Sequence, residues 1–213
     1  MIVRVLYILA LLSILLGLSF KGNSHNYVRN WSFEERSGCP SNLDELNLAH
    51  FWFKPTEGSS DYLHSCATYL GFYPPPAHTG NGLGGFFTLG NVINYKEYLS
   101  QKLKDPLDSS EMYCISFLVA RDGTVLSTSN IGIHFSENLS FQDSQLDTLS
   151  VNPQVEYTGP PISSTNWFKI HDTYVSQGSE EWITIGNFRT DSNTTIGNTN
   201  INSYSAYYFL DDV

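Results

Sequence analysis

Between Phe86 and Phe188 the chain falls into short stretches in which apolar residues alternate with polar ones, separated by segments rich in Gly, Pro, Asn and Ser. An alternation of period two sends successive side chains to opposite faces of the backbone, which is the signature of a half-buried strand. Asn130 to Ser136 shows it most cleanly, setting Ile131, Ile133 and Phe135 against Gly132 and His134. Phe86 to Leu89, Met112 to Ala120, Trp167 to Val175 and Glu181 to Phe188 read the same way, the last being rich in β-branched residues. Asn94 to Leu103 fits two patterns. Tyr95, Tyr98, Leu99, Lys102 and Leu103 match a helical face, whereas Leu99, Gln101 and Leu103 match one face of a strand. Its passage through Asp105-Pro106-Leu107-Asp108 into Met112 makes it the first arm of a hairpin. Glu57 to Tyr62, Tyr73 to Ala77, Ser140 to Ile162 and Arg189 to Ser203 read as loops. With an opening strand around Asn30 to Glu34, the count reaches about eight or nine strands and no long helix. The expected class is all-β, a jelly-roll β-sandwich.

Residues 1–24 stand apart from this pattern. Met1 to Arg4 is a short positive start, Val5 to Phe20 an apolar run, and Gly22-Asn23-Ser24 a set of small residues suited to cleavage. The run is shorter than the roughly 20 residues a membrane-spanning helix needs, so it reads as a secretory signal, with an uncleaved anchor as the alternative. Residues 25–213 then form one domain. Its formal charge of −10, from 21 acids against 11 Lys and Arg with no basic cluster, argues against nucleic acid or anionic membrane as a partner. Neutral ligands or cations fit better.

Three cysteines are expected to meet an oxidising compartment. Cys39 and Cys66 lie in loop-like settings, and Cys114 lies within the strand-like Tyr113 to Phe117. Pairing Cys39 with Cys66 cross-links a segment of little apolar periodicity and leaves Cys114 as a small buried hydrophobe.

Asn30-Trp31-Ser32-Phe33-Glu34 near the start and Tyr207 to Val213 at the end are each aromatic and then acidic. Adjacent carboxylates on an apolar strand are costly to bury unless something positive lies beside them, and a cation is the simplest candidate. In order along the chain, Asn30-x-Ser32-Phe33-Glu34, Thr79-Gly80-Asn81-Gly82, Tyr113-x-Ile115-Ser116-Phe117-x-Val119-Ala120, Trp167 and Leu210-Asp211-Asp212-Val213 resemble carbohydrate-binding modules with the galactose-binding-like jelly-roll fold. Such modules are attached to many cellulases and xylanases. Ser37-x-Cys39-Pro40, Trp52-x-x-Pro55-Thr56, Asp61-Tyr62, Tyr95-x-Glu97-Tyr98 and Ile185-Gly186-Asn187-Phe188 resemble a domain of Gram-negative cell-surface proteins that often precedes an outer-membrane protein A-like domain. The first resemblance implies a structural calcium held by the carbonyls of Ser32 and of Gly80 or Asn81 and by the Asp211 carboxylate, with Glu34 or Asp212 in support. Calcium accepts such irregular sets of oxygens. The alternative is that Asp211 and Asp212 accept hydrogen bonds from loop amides.

The resemblance also implies glycan binding on aromatic side chains, because the apolar face of a pyranose stacks on an aromatic ring. Trp52, Tyr62, Tyr69, Tyr73, Tyr95 and Tyr98 lie beside polar residues and are the candidates, core packing being the alternative for each. Other chemistries find less support. Gly80-x-Gly82-x-x-Gly85 satisfies the dinucleotide fingerprint in letters but leads into Phe86-Phe87-Thr88-Leu89 instead of a helix. The histidines at 50, 64, 78, 134 and 171 lack zinc spacing, and no Gly-x-Ser-x-Gly elbow occurs. The sequence therefore predicts a non-catalytic, secreted or surface-displayed module of a Gram-negative bacterium that binds glycan or another surface polymer. A structural adhesion or envelope-assembly domain that contacts protein is the alternative, and a hydrolase on the same scaffold is a third.

Overall fold

In a computed structural model, residues 25–67, 74–141, 148–197 and 203–213 are described. The expected secretory signal, Tyr69 and Tyr73 lie outside them. The strands in chain order are β1 (Asp61–His64), β2 (Gly82–Leu89), β3 (Tyr98–Lys102), β4 (Met112–Arg121), β5 (Ser127–Thr128), β6 (Ile131–Ser136), β7 (Val155–Glu156), β8 (Phe168–Val175), β9 (Trp182–Asn187), β10 (Ile196–Gly197) and β11 (Ala206–Asp211). One sheet has the order β1-β2-β11-β4-β8, a second β3-β9-β6-β7, and β10 pairs with β5 alone. Every pairing among them is antiparallel.

The two large sheets pack face to face as a β-sandwich, and the period-two patterns explain which residues meet between them. Phe86, Phe117, Val119, Tyr208 and Leu210 come from one sheet; Leu99, Ile131, Ile133, Phe135, Ile183 and Ile185 come from the other. Each side chain of this size stabilises by about 1.5–3 kcal/mol on leaving water. Tyr208 carries a hydroxyl into that core and satisfies it there, donating to Ile162 O at 2.7 Å and accepting from Thr128 N at 2.8 Å. None of the described helices is long and apolar enough to cross a membrane.

Four expectations change. Residues 30–34 form a turn instead of an opening strand, with Asn30 at φ 42° and Phe33 at φ 60°. β3 and β4 are not a hairpin: Leu99 lies opposite Ile185 of β9, and β4 pairs with β8 and β11 in the other sheet. The connection between them crosses the sandwich edge and buries Leu103 and Leu107, which a hairpin turn would leave in water. Asp61-Tyr62, read as loop, opens β1. Cys114 is exposed because its position in β4, opposite Thr173, faces outward.

Cys39 and Cys66 are bonded, with their Cα atoms 6.0 Å apart. Replacing both by Ser is expected to cost about 3 kcal/mol, since the bridge spans 27 residues of sequence. Urea denaturation measures this, and an unchanged midpoint would show that the bridge restrains nothing.

Candidate functional site

The two ends of the described chain meet at one end of the sandwich, and acid–amide bonds fasten them. Asp211 sits at the last position of β11, where its carboxylate faces the loop before β2. Its Oδ2 accepts from His78 N at 2.7 Å and Thr79 N at 2.9 Å, and its Oδ1 from Asp212 N at 2.8 Å. Burial pushes the Asp211 carboxyl up to about 7, against the pull of those three amides. Asp212 accepts from Thr79 Oγ1 at 2.9 Å and contacts His78 Nδ1, while its buried Oδ1 has no partner among the described residues.

Glu34 reaches the far side of the same loop, accepting at Oε1 from Asn81 N and Gly82 N, each at 2.7 Å. Two glycines make that approach feasible. Gly80 takes φ 74°, and a Cβ there would lie 2.3 Å from the Glu34 carboxyl carbon; at Gly82 it would lie 2.2 Å from Phe33 O. Ser32 is buried in the turn beneath.

The structure thus gathers the six residues expected to hold calcium into one region, but the partners of Asp211 and Glu34 are N–H groups. Those bonds take up part of the carboxylates' acceptor capacity, and among the described residues no group of three His, Cys, Asp or Glu side chains is placed to hold a metal ion, although the expected set also draws on the carbonyls of Ser32 and of Gly80 or Asn81. The loop-amide alternative describes the bonds present.

Of the aromatic candidates, Trp52, Tyr62 and Tyr98 follow the core-packing alternative. Trp52 is core: it stacks on Phe33 with ring centroids 4.8 Å apart and donates from Nε1 to Asn30 O at 3.0 Å. Tyr62 is buried and donates to Phe33 O at 3.0 Å. Tyr98 is buried, donating to Asn187 O at 2.9 Å and accepting from Leu149 N at 3.0 Å. None of these three presents a ring face to a ligand, because each alternates inward or sits beneath a loop. Tyr95 is half-buried and donates to Glu97 Oε1 at 2.7 Å. Burial and the Glu97 charge raise its phenol to about 12.

Exposed rings occur instead beside the clasp. Trp31 and Phe51 are 39% and 45% exposed and line an open depression of about 380 Å³ with Arg29, Glu34, Glu35 and Lys104. The Arg29 guanidinium lies 5.2 Å from the centre of the Phe51 ring, a cation–π distance. Asn30 makes the support rigid: its Nδ2 donates to Glu35 O at 2.8 Å and His50 O at 3.0 Å, and its Oδ1 accepts from Glu35 N at 2.8 Å. Phe51 holds φ 71°, a left-handed conformation that costs a non-glycine residue about 1–2 kcal/mol. That strain turns an apolar ring outward, the kind of outlier that accompanies binding surfaces.

Sequence reading missed this pair because it weighed the loops after Trp52. The available signal was the Phe51-Trp52-Phe53 run, in which three consecutive aromatic residues of an extended chain cannot all face inward.

No protein-family model and no curated protein matches the chain. Solved structures with a similar fold include the K1 cleaved adhesin domain of Lys-gingipain from Porphyromonas gingivalis W83, at 13% identity and TM-score 0.44, covering 81% of this chain and 94% of that one. The CBM22-1 xylan-binding domain of Paenibacillus barcinonensis Xyn10C is 15% identical with TM-score 0.43, covering 85% and 87%. A cyclase from Fischerella sp. TAU is 10% identical with TM-score 0.45, covering 85% and 94%.

Proposed function

We propose that this is a non-catalytic, extracellular binding module whose ligand is a glycan, taken at the Trp31–Phe51 depression. The observation that carries the reading is the exposure of two rings on a hydrogen-bonded support, flanked by Arg29, Lys104 and Glu35. Rings supply stacking surface for a sugar's apolar face, and the charged groups supply directed hydrogen bonds to hydroxyls. The disulfide fits an oxidising, extracellular setting, and the Gram-negative surface is the setting implied by the resemblance.

A glycan array followed by calorimetry tests the site. Trp31→Ala and Phe51→Ala are each expected to weaken binding at least tenfold while leaving the melting temperature near that of the wild type. Silence across plant, algal and peptidoglycan glycans, or binding indifferent to both substitutions, overturns the reading.

Structural calcium belongs to the same proposal. An ion would take Asp212 Oδ1, the acceptor without a partner, and Asp211 and Glu34 would share oxygens now given to amides. Millimolar calcium added to chelator-treated protein is then expected to raise the melting temperature by several degrees. No shift, with no metal found by elemental analysis, leaves the amide clasp as the complete account.

A further inference from the structure

β4 is longer than its neighbour. β11 pairs with it only from Leu118 to Arg121, while β8 pairs with it from Met112 to Val119. Along residues 112–117, one edge of β4 therefore has no strand beside it among the described residues. The direction of the main-chain groups follows from the flanking bonds. Glu111 O accepts from Ser176 N and Arg121 N donates to Ser164 O, both at 3.0 Å, so odd-numbered residues face β8. Asp122 N donates to Tyr207 O at 3.0 Å, so even-numbered residues face β11. The N–H and C=O groups of Met112, Cys114 and Ser116 thus point where β11 no longer runs, and among the described residues no hydrogen bond reaches them there.

That edge opens onto a groove of about 910 Å³. Its lining is apolar: Ile133, Phe135 and Ile183 of the facing sheet lie at its base, almost wholly buried, and the half-buried Tyr27, Val28, Tyr113 and Ile115 form its accessible surface. Asp212 and Val213 occupy the end where β11 stops. At the opposite end are Asp105, Asp108 and Glu111, all exposed, with Lys104 among them. Asp105, Asp108 and Glu111 lie on the segment that leads into β4 at Met112, and burial, the hydrogen bond with Tyr113 and the charges of Asp108 and Asp105 all raise the Tyr27 phenol.

We propose that the groove binds an extended peptide segment as an added strand beside residues 112–117, with alternate apolar side chains packing on Tyr27, Val28, Tyr113 and Ile115 and basic residues at the acidic rim. A strand edge with unpaired donors and acceptors is a template for such pairing, and six residues of β4 give it about 20 Å of ladder. Sugar or lipid would leave the three outward N–H groups without a periodic set of acceptors. The acidic rim, on a chain of net charge −10, selects a basic strand.

The test uses a synthetic seven-residue peptide that alternates valine and threonine between terminal lysines, followed by calorimetry and by amide hydrogen exchange at single-residue resolution. Saturating peptide is expected to slow exchange at Cys114 and Ser116 at least tenfold, and 0.5 M salt is expected to weaken binding several-fold. Cys114→Pro removes a donor that faces the groove and none that faces β8, so it is expected to weaken binding at least tenfold. Should that variant fail to fold, the same peptide N-methylated at alternate residues makes the comparison with wild-type protein. No binding at millimolar peptide, binding without protection of Cys114 and Ser116, or equal affinity for the methylated peptide overturns the proposal. So does protection of these amides that rises with protein concentration alone, which would assign the edge to a second copy of the chain.

Discussion

Replacing Asp61 by Asn is expected to raise the melting temperature at pH 8 relative to its effect at pH 5, by an amount equivalent to about 2–3 kcal/mol. Asp61 opens β1 and is only 4% exposed. Burial pushes its carboxyl up to about 7, the charges of Glu97 and Asp44 push the same way, and bonds from Tyr207 Oη at 2.5 Å and Asp44 N at 2.6 Å pull against them. The folded value lies above the ordinary 3.8, so between about pH 4 and pH 7 the native state holds a proton that the unfolded chain has lost. Stability from this group is therefore full below that window, declines as the pH rises through it, and is level above about 7. Asn cannot ionise, can accept from Asp44 N and can donate to the Tyr207 oxygen. Thermal melts of both proteins at pH 5 and pH 8 give the comparison. An identical difference at the two values would mean that Asp61 is ionised throughout.

Glu97→Ala is expected to be among the most damaging single changes, at about 3–5 kcal/mol, read as a fall of roughly 6–20 °C in melting temperature. The side chain is wholly buried, and burial raises its pKa above the usual carboxylate range. Four donors converge on it: Ser59 N at 3.0 Å, Ser59 Oγ at 2.7 Å and Tyr95 Oη at 2.7 Å on one oxygen, Phe87 N at 2.9 Å on the other. Removing the acceptor strands all of them in a site water reaches poorly. Glu97→Gln keeps one acceptor oxygen and the volume, so it is expected to cost less than half as much. Equal losses in the two variants would show that the carboxylate charge, and not acceptor geometry, is what the site requires.

The fold was legible wherever local pattern and tertiary environment agree. β6 alternates because one face meets the core and the other does not, and Ile131, Ile133 and Phe135 lie inward as the period requires. β1 escaped notice because Asp61, a charged residue beside glycine and serine, reads as a turn until Tyr207 and Asp44 are seen to satisfy it. Pairing partners were not legible at all: β3 and β4 lie close in sequence yet join different sheets. The acid bracket pointed to the right residues and left their partners open, because a backbone amide leaves no trace in side-chain sequence. That Trp52, Tyr62 and Tyr98 belong to the core was hidden for a related reason. A tyrosine beside polar residues has the same letters whether its hydroxyl meets water or, as at Tyr98, the buried oxygen of Asn187.

The clasp bears on how the molecule responds to force. Asn26 Nδ2 donates to Val213 O at 3.0 Å, and Val213 N donates to Trp31 O at 3.0 Å, so residues 26 and 213 lie side by side at one pole of the sandwich. Tension applied through residues 26 and 213 passes directly across these bonds and does not travel through either sheet. While they hold, the load is expected to bypass the sheets and to spare the open edge of β4. Once they part, the bonds from Asp211 and Asp212 to His78 and Thr79 are next in line, and β11 is expected to lose its pairings with β2 and β4 from its Asp211 end.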